Sequence, residues 1–101
     1  SYEEAPRTTD PQGREVVFDV GTREHLMNRR PQLLDHIDAI LDAVNVPDYR
    51  EEDHKRAGHE RFYRQDLDPR RWLSVVVSFN EMPAYVVTAW IQWLILAPKL
   101  M

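Results

Sequence analysis

His25 stands in a basic stretch, Thr22-Arg23-Glu24-His25-Leu26-Met27-Asn28-Arg29-Arg30, where three arginines flank one imidazole. An imidazole can take or give a proton in phosphodiester cleavage. Arginines close by stabilise charge that develops on a phosphate. A second basic patch holds Arg56, Arg61 and Arg64, interleaved with Phe62 and Tyr63. Guanidinium forks pair with phosphate oxygens, and aromatic rings beside them suit stacking on unpaired bases. The plainer reading of the first stretch is a helix end with solvated arginines.

The other histidines do not form a metal-ligand pattern. His54 and His59 are five residues apart in a segment with no strong helical signal. His36 falls among aspartates on the polar side of a helix. A metal site needs paired spacings on one helix face or cysteine partners. The chain has no cysteine, so neither thiolate chemistry nor a disulfide framework is expected. No metal and no cofactor is expected.

The elements that must position these residues belong to one small domain. The chain has 101 residues, 43% of them apolar and 30% charged, which suits a globular protein. The net charge of −4 argues against a protein held to nucleic acid by bulk charge. Phosphate binding must then come from a local cluster. The longest apolar run, Ile91 to Ala97, is interrupted by Gln92. It is far shorter than the roughly 20 residues that cross a membrane. The expected setting is cytoplasmic, without membrane attachment.

Residues 1–14 read as a flexible tail and 15–101 as a single α+β domain. Glu15 to Val20 is an apolar, β-branched run and reads as a strand. Thr22 suits the N-cap of a helical turn over Arg23–Arg29. After Pro31, the spacing of Leu33, Leu34, Ile37, Ile40, Leu41 and Val44 predicts an amphipathic helix. Asn45 and Pro47 stop it. Tyr49 to Lys55 is an edge strand or a loop. Arg61 to Gln65 is a strand, and Asp66 to Arg70 is a turn. Trp72 to Phe79 and Ala84 to Trp90 are the two arms of a hairpin. The expected fold is an N-terminal strand with one or two helices packed on one face of a three- or four-stranded antiparallel sheet. The segment from Ile91 to Met101 extends the last strand, forms a short helix or docks in a partner, which includes a homodimer through 91–101.

Strand alternation divides the side chains between two faces. Leu73, Val75, Val77 and Phe79 should meet the helix. Val87 and Ala89 accompany Tyr85, while Val86, Thr88 and Trp90 point the other way. The face away from the helix then collects Arg61, Tyr63, Ser74, Ser78 and Thr88. That set could hold an anion, or it is the ordinary polar outer face of an antiparallel sheet. One β-bulge would reverse an assignment.

The order of these motifs resembles the barnase–EndoU–colicin E5/D–RelE-like ribonuclease superfamily, in particular its small phage and toxin members. The features are Val20-Gly21-Thr22-Arg23-Glu24-His25-Leu26 in an early helix, and Val46-Pro47-Asp48-Tyr49 after a second helix. Glu60-Arg61-Phe62-Tyr63-Arg64, Trp72-Leu73-Ser74-Val75-Val76-Val77 and Val86-Val87-Thr88-Ala89 follow in three strands. The resemblance spans about residues 16–90. It implies a metal-independent endoribonuclease, the toxin of a toxin–antitoxin or phage-related system, with RNA as substrate and an antitoxin or immunity protein as partner. It implies that His25 transfers the proton and that Arg61, with Arg29 or Arg30, holds the phosphate. Thr88 would donate a hydrogen bond to it, and Tyr63 or Arg64 would position a base, with Ser74 a further candidate for substrate binding. The competing expectation is a non-catalytic antitoxin, immunity or regulatory domain. The acidic net charge, the acidic helix face and the apolar carboxyl-terminal segment favour it.

Overall fold

The computed structural model describes residues 4–65 and 70–93. The β-branched and aromatic runs form β2 (Glu15–Val17), β4 (His59–Gln65), β5 (Arg71–Ser78) and β6 (Ala84–Trp93). Two short edge strands, β1 (Arg7–Thr9) and β3 (Tyr49–Glu52), complete one six-stranded sheet in the order β1-β2-β6-β5-β4-β3. All neighbours are antiparallel except β2 and β6, which run parallel. The fold is α+β, as expected, but the sheet is larger than three or four strands and it is mixed. The hairpin of β5 and β6 lies at its centre.

The additional strand β1 lies in the segment whose composition suggested a tail. Its hairpin turn is organised by Asp10, which is buried. The Asp10 carboxylate accepts the backbone N–H groups of Gln12 and Arg14 and the Arg14 Nε–H at 2.7–3.1 Å. Gly13 supplies the positive φ of +83° that closes the turn. Burial works to raise the Asp10 carboxyl, but the Arg14 contacts outweigh it and hold it below the ordinary aspartate value.

Helix α1 (Val20–Arg29) starts three residues before Arg23, the expected first helical residue. Asp19 is the N-cap, and its carboxylate accepts the Thr22 N–H at 2.9 Å. A carboxylate at this position satisfies a free N–H and faces the positive end of the helix. Arg30 precedes Pro31, which disfavours helical geometry there, and α1 ends. The long helix expected after Pro31 divides into a 3-10 segment over Pro31–His36 and helix α2 (Ile37–Asn45). His36 has non-helical φ and ψ of −127° and 33° at the junction.

Both helices cover one sheet face. Leu26, Leu33, Ile40 and Val44 pack against Phe62, Val75, Val77 and Val86, all of them buried. Burying side chains of this size is worth about 1.5–3 kcal/mol each and drives the docking. The Asn45 amide donates to the Thr9 carbonyl at 2.9 Å and ties α2 to β1.

The β3–β4 turn depends on Gly58. Its φ is +75°, and a Cβ there would lie 1.9 Å from the Asn80 side-chain oxygen. The Asn80 amide is held in place by its bond to the Ala57 carbonyl at 3.1 Å. Gly58→Ala should therefore cost about 2–3 kcal/mol, read as a shift of the urea midpoint at constant slope. In an Asn80→Ala background the clash disappears, and the same substitution should cost only the backbone part, about 1–2 kcal/mol.

Candidate functional site

Two residues of β6, Val86 and Thr88, join the sheet to α1. The Val86 carbonyl accepts the Thr22 hydroxyl, which also lies 3.0 Å from the Asp19 carboxylate. Val87 is left out of the β5–β6 pairing: Val76 faces Thr88, but Val77 faces Val86. This β-bulge shifts the alternation by one residue. Ala84 and Val86 thus join the helix-side core together with Ala89 and Ile91. The expected partition of β6 is corrected accordingly. Val86 points to the core rather than away from it, and Tyr85 joins the face of Thr88, Trp90 and Gln92.

Beside the bulge, His25 Nε2 lies 3.1 Å from Thr88 Oγ1. Both residues are half-buried. The bond has two proton arrangements: the neutral ring accepts the Thr88 hydroxyl proton, or an Nε2–H donates to Thr88. The ring's other nitrogen has no hydrogen-bond partner among the described residues. Arg29 follows His25 by four residues on α1 and so lies on the same helix face. Arg30 is rotated off that face and terminates the helix, its N–H donating to the Leu26 carbonyl at 2.7 Å. Of the two arginines considered for the phosphate, it is Arg29 that shares the helix face of His25.

Arg61 shares the sheet face of Thr88. The two residues pair with the same residue of β5, Val76, from opposite sides. Their backbones are therefore two strand spacings apart, about 10 Å. Arg61 Nη2 lies 3.6 Å from the buried Asp53 carboxylate, and its guanidinium reaches over Val76 to within 5.7 Å of the Trp90 indole centroid. Its charge is already balanced locally. Burial works to raise the Asp53 carboxyl, but the Lys55 backbone N–H and the charges of Arg61, Arg56 and His59 hold it below the ordinary value.

The remaining expected contacts are elsewhere. Tyr63 is fully buried and its hydroxyl donates to Glu51 at 2.6 Å, so no base can stack on it. Tyr49 and Trp72 pack against it. Arg64 lies on the helix side of the sheet, where Nη1 donates to the Val46 carbonyl at the end of α2. Ser74 is fully buried and donates to Gln92 Oε1 at 3.1 Å. Two residues outside the expected set stand next to Thr88 along β6: Trp90 and Gln92. Their spacing of two and four residues from Thr88 was the available signal.

His36 is exposed, apart from His25, at the rim of a cleft of about 430 Å³ between the 3-10 segment, α2 and the ends of β4, β5 and β6. Among the described residues no group of three or more metal-ligating side chains comes together, and no helix is long and apolar enough to cross a membrane. The turn expected over Asp66 to Arg70 lies outside the described residues except for Arg70. Beyond Trp93, so does the segment assigned to a homodimer contact. Comparison with protein-family models, curated proteins and solved structures gives no match.

The second sheet face has its own pH response. Burial, with the Glu51 hydrogen bond adding to it, pushes the Tyr63 phenol up from 10.0 to about 12. The folded protein thus retains this proton more tightly than the unfolded chain does. The contribution is complete below pH 10 and is lost as the pH rises toward 12. The urea midpoint should fall between pH 9 and pH 11.5, and Tyr63→Phe should flatten that fall.

Proposed function

We propose that this protein is a metal-independent endoribonuclease in which His25 and Thr88 act on one phosphate. The contact between His25 Nε2 and Thr88 Oγ1 carries the proposal, because it joins a proton-transfer group to a hydroxyl at a half-buried surface. His25 takes the proton of the ribose 2′-hydroxyl. The 2′-oxygen bonds to phosphorus as the bond to the 5′-oxygen breaks, and that oxygen takes a proton from water. The products are a 2′,3′-cyclic phosphate and a 5′-hydroxyl. Thr88 donates to a non-bridging phosphate oxygen, and the Arg29 guanidinium balances the developing charge. Arg61 serves as part of the adjoining wall, with Asp53 sharing its charge. The order of motifs supports a toxin of a toxin–antitoxin or phage-related system, acting on RNA in the cytoplasm.

A second reading, a non-catalytic binding domain, draws on two observations. Arg61 is already paired, and Asp35, Asp38 and Asp42 are exposed around the second helical segment. Such a surface suits a basic partner.

Cleavage of RNA by the purified protein in EDTA separates the two. The ribonuclease reading expects cyclic-phosphate ends, a loss of about 100-fold or more in His25→Ala, and a loss of about tenfold in Thr88→Val. Neither change should move the urea midpoint by more than about 1 kcal/mol equivalent, since both positions are half-buried. Cleavage that survives both substitutions removes the proposed roles. Absence of cleavage by the parent protein on structured and unstructured RNA favours the binding domain.

A further inference from the structure

We propose that Trp90 and Gln92 form the base subsite of this nuclease and that it selects bases with a keto oxygen at purine C6 or pyrimidine C4, guanine and uracil, over those with an amino group there, adenine and cytosine. This rests on the ribonuclease reading of the His25–Thr88 pair. Thr88, Trp90 and Gln92 follow one another at two-residue spacing on the same side of β6, beyond the bulge. Each step is about 6.7 Å along the strand. A phosphate held at Thr88 brings its nucleoside over Trp90, and the far edge of the base reaches Gln92.

The chemistry of that edge is set by the orientation of the Gln92 amide. Gln92 Oε1 accepts two hydrogen bonds, from Trp90 Nε1 at 3.0 Å and from Ser74 Oγ at 3.1 Å. The serine hydroxyl could serve either end of the amide, but an indole N–H can only donate. The atom it meets must therefore be the oxygen. Gln92 is half-buried, and its Nε2 has no partner among the described residues. It presents N–H donors alone. Guanine O6 and uracil O4 accept from them, whereas the amino groups of adenine and cytosine set donor against donor. The indole ring, half-buried and with the Arg61 guanidinium 5.7 Å from its centroid, provides the stacking surface.

The subsite is tested by binding, without cleavage. Dinucleotides protected by 2′-O-methylation are titrated against the full chain, with tryptophan fluorescence as the readout. Dinucleotides of guanine or uracil should bind about three- to tenfold more tightly than those of adenine or cytosine, as expected for one hydrogen bond gained or lost. Gln92→Glu keeps an acceptor for Trp90 and Ser74 but has no N–H, and should lose the keto preference. Trp90→Phe keeps a stacking ring but frees the amide to turn, so the four bases should bind within about twofold of one another. Binding of all four bases equally by the parent protein, a preference for adenine or cytosine, or no binding overturns the proposal. The two readings fail separately. RNA cleavage without base preference removes the subsite and leaves the nuclease. Keto-selective binding without RNA cleavage removes the nuclease and leaves the subsite.

Discussion

The unpaired Val87 lets one strand serve two surfaces. Before it, Ala84 and Val86 fill the core under the helices; after it, Thr88, Trp90 and Gln92 stand on the opposite side. An unbroken alternation starting from Ala84 and Val86 would turn Thr88, Trp90 and Gln92 into the apolar core. There the indole N–H and the carboxamide would need partners that the core does not offer, at a cost of about 1–3 kcal/mol for each group left unsatisfied. The bulge also sits where α1 docks. The Val86 carbonyl before it accepts Thr22, and the Thr88 side chain after it meets His25. The helix and the register shift thus fix one another.

Along the central strand β5 the second face of the sheet is closed by its own side chains. The central strand β5 contributes Ser74, Val76 and Ser78, all buried, between larger residues of β4 and β6. Arg61 spans this trough from β4 toward Trp90, with Asp53 as its counter-ion. The pairing accounts for how an arginine lies on a largely enclosed surface, since an unpaired charge there would be expensive. It also shifts the usable positive charge to α1. A chain of net charge −4 can hold a phosphate only where cations are not already matched by carboxylates. Arg29, exposed in the last turn of α1, meets that condition better than Arg61 does.

The hairpin of β5 and β6, the strand over Arg61–Gln65 and the apolar stripe of α2 were legible because period and composition agree there. The faces of β4 and β5 followed from alternation alone. β6 did not, because Val86 and Val87 are identical residues and nothing in their types marks which one leaves the ladder. β1 was hidden for a different reason. Arg7-Thr8-Thr9 has no apolar pattern, and its strand exists because the Asp10 turn and the Asn45 bond hold it against β2. Alternation also reports a face without reporting its depth. It placed Tyr63 and Ser74 beside Arg61, but their enclosure by Tyr49, Trp72 and Gln92 depends on neighbours across three strands. The pairing of His25 with Thr88 was suggested only by the order of motifs, since the two residues are 63 positions apart.

The role of His25 can be argued from what α1 does not need. The helix is capped by Asp19, anchored to β6 by the buried Thr22 and packed into the core by the buried Leu26. Each of those contacts satisfies a backbone group or removes apolar surface from water. The His25–Thr88 bond does neither: both side chains reach solvent, where either could be satisfied by water at little net cost. A half-exposed imidazole held at 3.1 Å from a hydroxyl, one turn from an exposed arginine, contributes little to holding the fold together. Under the proposed ribonuclease reading, that geometry serves a phosphate brought between the helix and the strand.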